Sequence, residues 1–177
     1  MKKIIAVSIL ILIFSILSIT VTIYNHFFNV KVEYVLKDKY ESKINTFSLH
    51  NIDGEHYVVD SQSGKPKMIN FWASWCPYCN KEAPHLNALY DTYKDKVEFI
   101  SINVTTSDSL SGARTYIDKY QFKFPTLLDE TGDVSSSFLI SAIPTNYFVR
   151  GDGTIHSITH EVTESNAKKI FEEMLKE

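Results

Sequence analysis

The sequence predicts an α/β fold, and three observations carry that prediction. An apolar run from Met68 to Ala73 leads into the pair Cys76 and Cys79 and then into a stretch with helical spacing. A second β-rich run, Val97 to Val104, follows that helix, so strand, helix and strand alternate. Near the end, Asn146 to Val149 and Thr154 to Ile158 flank the turn-forming Asp152-Gly153, and a last helical segment closes the chain.

The elements follow in order. Lys2-Lys3 precede Ile4 to Ile23, twenty residues without a charge, which as a helix would span roughly 30 Å, the thickness of a bilayer hydrocarbon core. This predicts a cytoplasmic N-terminus at 1–3, a transmembrane signal anchor at 4–23 and a tether at 24–43, with residues 44–177 as the folded domain. A cleaved signal peptide is the alternative, but the run exceeds the roughly 7–15 apolar residues of such peptides and no Ala-x-Ala site follows. The hydroxyls of Ser15, Ser18, Thr20 and Thr22 are compatible with a span, because they can bond back to helix carbonyls.

Within the domain, Phe47-Ser48-Leu49 and Tyr57-Val58-Val59 surround Asp53-Gly54 and predict a β-hairpin. Ser61 to Pro66 is a loop, and Met68 to Ala73 is a buried strand. Cys79 to about Lys94 is helical, with Leu86, Leu89, Tyr90 and Tyr93 on one face and a kink expected at Pro84. Val97 to Val104 is the second central strand. Leu110 to Tyr120 is a helix carrying Ala113, Tyr116 and Ile117 on one face. Phe124 to Leu128 is a short strand, a small helix lies near Ser135 to Leu139, and the final helix runs from about Glu164 to Leu175.

The chemistry concentrates in the only two cysteines, Cys76 and Cys79. Two cysteines cannot complete a four-thiolate zinc site, and the histidines show no metal-ligand spacing. A net charge of −3 provides no basic field for nucleic acid. Placed between a buried strand and a helix start, Cys76 lies near free amide N–H groups, where a thiolate is stabilised. The pair therefore reads as a thiol–disulfide exchange site, with a purely structural bridge as the alternative.

Trp75-Cys76-Pro77-Tyr78-Cys79, followed by Ala83-Pro84 and by the distant Ile143-Pro144-Thr145, resembles the thioredoxin-like oxidoreductases. The similarity extends from about Ile44 to Lys176 and is greatest to the membrane-anchored ResA/StoA/TlpA group. The resemblance implies a central mixed β-sheet flanked by helices, with an N-terminal β-hairpin. It implies a protein-disulfide reductase on the extracytoplasmic side of the cell membrane, whose substrates would include apocytochrome c or a spore-envelope protein. A CcdA- or DsbD-like membrane thiol carrier would donate the electrons, and no cofactor beyond the Cys76–Cys79 disulfide is implied. An oxidase or isomerase, and a non-catalytic binding domain with a structural disulfide, are the competing functions.

The resemblance also assigns residues. Cys76 would attack and Cys79 resolve, with Glu82 as a third candidate catalytic residue that tunes thiol acidity. Read without the resemblance, Glu82 is a solvent-exposed glutamate at a helix start. Asn70 stands where thioredoxins carry a buried aspartate, and Ser101 lies near the place of their lysine, so Glu82 is the carboxylate left to nominate. Trp75, Pro77, Tyr78, Ile143, Pro144 and Thr145 are the candidate substrate-binding residues, with the Ile143-Pro144 bond expected to be cis. His160 falls where a flanking glycine is common, and reads either as a groove residue or as an exposed histidine.

Overall fold

The computed structural model describes residues 12–26 and 42–176. It divides the chain into two units, 1–39 and 40–177. In the first unit, residues 12–26 are helical and exposed, and Ser15, Thr20 and Thr22 each donate to a carbonyl three or four residues back. The helix continues three residues past Ile23, so Tyr24 to His26 are helical. No helix among the described residues is long and apolar enough to cross a membrane. At 1.5 Å per residue, 12–26 extends about 22 Å. The part of the expected span at 4–11 and the tether at 27–41 lie outside the described residues.

In the second unit, seven strands form one mixed sheet in the order β2-β1-β5-β4-β3-β6-β7. The strands are β1 (Phe47–Asn51), β2 (His56–Val59), β3 (Lys67–Trp72), β4 (Glu98–Asn103), β5 (Thr126–Leu128), β6 (Thr145–Val149) and β7 (Ile155–Thr159). β3, β4 and β5 run parallel, whereas β6 is antiparallel to β3, β7 to β6, and the N-terminal hairpin β1–β2 joins antiparallel to β5. Helices α1 (Pro77–Tyr93), α2 (Leu110–Tyr120), α3 (Asp133–Ser137) and α4 (Glu164–Met174) flank the sheet. The expected mixed sheet and hairpin are present.

The two faces of β3 separate the core. Ile69 and Phe71 pack with Ile100, Ile102, Leu127 and Phe138, while Met68 packs with Leu86 and Leu89 of α1, Phe148 of β6 and Phe171 of α4. Strand alternation puts Asn70 and Trp72 on the same face as Met68, toward α1.

Several boundaries differ from the sequence expectation for physical reasons. The domain starts earlier than Ile44, because Lys43 bridges Thr154 and Ile155 N–H donates to Ser42. Helix α1 begins at Pro77, since proline is pre-organised for a first helical position and the Cys76 side chain caps it. It runs unbroken through Pro84 to Tyr93. β5 starts at Thr126 and not at Phe124, whose ring joins Phe99 and Tyr90 in the aromatic layer. The buried Asp129 carboxylate accepts from Val134 N–H, Ser135 N–H and Ser135 Oγ, so α3 starts at Asp133, ahead of Ser135. Leu139 then adopts a left-handed φ of 52° outside the helix.

Candidate active site

Strand β3 delivers the chain to the turn 73–75, and the turn delivers Cys76 to the start of α1. Cys76 has extended backbone angles as N-cap, and its Sγ accepts from Cys79 N–H at 3.1 Å. A cysteine in the role usually taken by serine or aspartate places sulfur where the unpaired N–H groups and the helix dipole favour negative charge. Cys76 and Cys79 are joined as a disulfide with their Cα atoms 5.3 Å apart. Both are almost fully covered, at 2% and 1% exposure. Trp75, Pro77 and Tyr78 are exposed around them.

Asp108 braces that turn. Its carboxylate accepts from Ser74 N–H and Ser74 Oγ, both at 2.6 Å, from Asn103 Nδ2 at 2.8 Å and from Ser109 N–H at 2.8 Å. Burial alone would raise its pKa, but the Ser74, Asn103 and Ser109 donors together hold it below the ordinary value. Trp75 Nε1 donates to Ser107 O at 2.8 Å, which fixes the exposed indole against the same segment.

The loop before β6 reaches the cysteines from the other side. The Ile143-Pro144 peptide bond is cis, as expected. Ile143 O lies 3.6 Å from Cys76 Sγ, a contact that becomes a hydrogen bond when Cys76 carries a thiol proton. Thr145, buried, donates from Oγ1 to Ala142 O at 2.7 Å. The same Oγ1 lies 3.3 Å from His160 Nδ1. Tyr78, Ala142, Ile143, Pro144, His160 and Glu161 line a cavity of about 280 Å³ beside the disulfide loop. His160 thus belongs to the groove, although it is exposed.

Glu82 is not a surface residue: it is 1% exposed. Its Oε1 accepts from Asn70 Nδ2 at 2.6 Å, and its Oε2 accepts from Asn146 Nδ2 at 3.0 Å and Val162 N–H at 2.9 Å. Burial pushes its carboxyl up to about 7, against the opposing pull of the Val162, Asn146 and Asn70 donors, and the Glu161 carboxylate adds to the rise. Ser101, opposite Asn70 in the β3–β4 register, accepts a hydrogen bond from Trp72 Nε1 and brings no charge to the site.

Three residues that the sequence did not single out complete the arrangement: Asn146, Asp108 and Tyr116. By sequence alone Tyr116 belongs to one face of a helix. It stacks on Trp72 at 4.2 Å and donates from its hydroxyl to Cys79 O at 2.7 Å. Its own acidity is suppressed by burial, by Glu82 and by Tyr120. The one sequence signal for Asn146 was an asparagine inside an apolar strand, a position that strands disfavour. Among the described residues, no group of three or more His, Cys, Asp or Glu side chains could hold a metal ion.

Residues 41–158, more than half of the chain, match the AhpC/TSA family. The chain belongs to that family. It is 30% identical over 131 residues to the thiol-disulfide oxidoreductase ResA of Bacillus thuringiensis subsp. konkukian, covering 73% of each chain. It is 33% identical over 113 residues to the thioredoxin-like protein YneN of Bacillus subtilis, covering 63% of this chain and 66% of YneN. Among solved structures, StoA from Bacillus subtilis superposes with a TM-score of 0.64 at 26% identity, over 73% of this chain and 98% of StoA. DsbF from MTB superposes with a TM-score of 0.67 at 26% identity, over 72% and 94%. With its Cys76–Cys79 pair set in this fold, the protein is a thiol-disulfide oxidoreductase of the ResA/StoA kind.

Proposed function

We propose that this oxidoreductase is a membrane-tethered, extracytoplasmic reductase of protein disulfides. The observation that carries the reading is the placement of Cys76 as the cap of α1, beside a cis-proline loop and within one helical turn of a resolving cysteine. In the dithiol form, the Cys76 thiolate attacks one sulfur of the substrate disulfide and forms a mixed disulfide, and the other substrate sulfur leaves as a thiolate. Cys79, deprotonated in turn, attacks Cys76 Sγ, so the Cys76–Cys79 bond forms and the mixed disulfide breaks. The two protons of the protein thiols end on the two substrate sulfurs, and two electrons pass from protein to substrate.

Glu82 serves the second step. A carboxyl that titrates near 7 can take up or return the proton of the Cys79 thiol at neutral pH, and when ionised it opposes a Cys79 thiolate. Trp75, Pro77 and Tyr78 form the rim that a protein substrate meets, and Ile143, Pro144 and Thr145 offer it the edge of the groove. By family resemblance the substrates are apocytochrome c or a spore-envelope protein, and a CcdA- or DsbD-like thiol carrier returns the electrons. The anchor is supported by the charge-free run 4–23, and Lys2-Lys3 on its N-terminal side favour an outward domain.

The test is reduction of insulin by dithiothreitol with the full-length chain. Cys76→Ser abolishes turnover, and Cys79→Ser stalls with substrate held as a mixed disulfide on Cys76. Unchanged turnover in Cys76→Ser would reduce the protein to a binding domain. Protease added to intact protoplasts removes the domain if it lies outside, and its survival there contradicts the orientation.

A further inference from the structure

We propose that Asn70 and Asn146 are positioning residues of the redox site: a cross-strand amide pair that holds the Glu82 carboxylate in an acceptor-only pose and so sets the acidity of the resolving thiol. The inference rests on the role given to Glu82 above and extends it to two residues of the sheet.

The two asparagines face each other directly in the β3–β6 register and are 2% and 0% exposed. Two amides in the middle of a sheet bring a desolvation penalty that an apolar pair would avoid, so their contacts should explain their presence. Those contacts all lead to one carboxylate. Asn70 Nδ2 uses its two hydrogens on Glu82 Oε1 at 2.6 Å and Asn146 Oδ1 at 2.8 Å. Because Asn146 Oδ1 is thereby occupied as an acceptor, Asn146 Nδ2 turns to Glu82 Oε2, at 3.0 Å. Turning either amide over would set carbonyl oxygen against carboxylate oxygen. The orientations of the pair are therefore interlocked.

With Val162 N–H as the third partner, Glu82 receives three donors and meets no acceptor. That shell matches the ionised carboxylate. A proton on Oε1 would need Asn70 to turn its Oδ1 inward, which gives up the bond from Asn70 to Asn146. The amide pair thus favours the charged form, against the burial that disfavours it. The other titratable groups facing Glu82 are Glu161, before α4, whose charge favours the neutral form, and Tyr116 of α2, whose proton goes to Cys79 O. Cys79 lies one turn earlier on the same helix face, so the charge state of Glu82 is felt at its sulfur.

The experiment uses the full-length chain with Glu82 followed by carboxyl carbon NMR across pH, and with thiol ionisation followed by alkylation rates of the reduced protein. Asn146→Leu removes both polar atoms at nearly constant volume, and Asn146→Ser keeps a shorter donor. Loss of one charge-assisted hydrogen bond raises the Glu82 midpoint by about one pH unit in Asn146→Leu. A smaller rise is expected in Asn146→Ser, with the Cys79 thiol becoming more acidic in the same order. If Asn146→Leu does not fold, Asn146→Ser supplies the same readout. A Glu82 midpoint equal to that of the unaltered chain in a folded variant overturns the proposal. A midpoint that moves while the thiol stays fixed overturns the link to Cys79 and with it the role of Glu82, leaving only the amide shell.

Discussion

Replacing Glu82 by glutamine isolates the energetic consequence of burying this carboxyl. The folded value of about 7 stands above the ordinary 4.5 of an unfolded chain. Between those two pH values the folded protein keeps a proton that the unfolded chain has released. The contribution to stability is therefore complete below pH 4.5, declines as pH rises and is gone above about 7. Between pH 5 and pH 8 the linkage amounts to roughly 2–3 kcal/mol. Glutamine does not titrate, so this slope disappears in Glu82→Gln. The variant also suffers a pH-independent loss, because its carbonyl can serve Asn146 and Val162 while its NH₂ then meets the Asn70 NH₂. The informative quantity is the change with pH and not the absolute stability. Urea denaturation of the oxidised full-length proteins at pH 5 and pH 8 measures it, since the histidines and other common groups cancel in the comparison. Parallel pH dependence in the two proteins would refute the reasoning.

Three further outcomes follow from other parts of the structure. In the reduced protein, Glu82→Gln lowers the apparent pKa of the resolving thiol by removing a neighbouring negative charge, and unchanged thiol titration curves remove Glu82 from the mechanism. Asp108→Ala strands the Ser74 N–H and hydroxyl, costing about 1–3 kcal/mol and accelerating amide exchange at Ser74; exchange as slow as in the unaltered chain shows that the turn holds without its brace. Gly151→Ala would bring a Cβ to 2.3 Å from Gly64 O, so the loop 61–66 must move away from the β6–β7 turn. We expect a stability loss of about 1–3 kcal/mol with insulin reduction preserved, because Gly151 lies beyond the end of β6 opposite the cis-proline; an unmoved denaturation midpoint contradicts the close approach.

The sequence made the order of elements legible because each strand and helix announces itself locally. β3 is a continuous apolar run feeding the cysteines, and α2 has both predicted ends in place, capped by Ser109 at one and closed by left-handed Gln121 at the other. The cysteine pair, the exposed Trp75 and the cis-proline were legible as motifs. What the chain hides is how distant polar atoms meet. Asn70 and Asn146 are separated by 76 positions, and only the β3–β6 register brings them together over Glu82. The Asp108 brace and the Tyr116 bond to Cys79 O likewise depend on how α2 and its preceding turn dock on α1. The left-handed conformation of Leu139 is hidden because a leucine gives no local signal of it. The early start of the domain was hidden too, since Ser42 and Lys43 are ordinary polar residues until they pair with the β6–β7 turn.

The direction of electron flow is the central claim, and the reduction potential of the Cys76–Cys79 couple tests it most directly. Equilibrating the full-length protein in defined thiol–disulfide buffers should give a value near that of thioredoxin, about −270 mV. A value near that of DsbA, about −120 mV, would make the protein a donor of disulfides and contradict its assignment as a reductase.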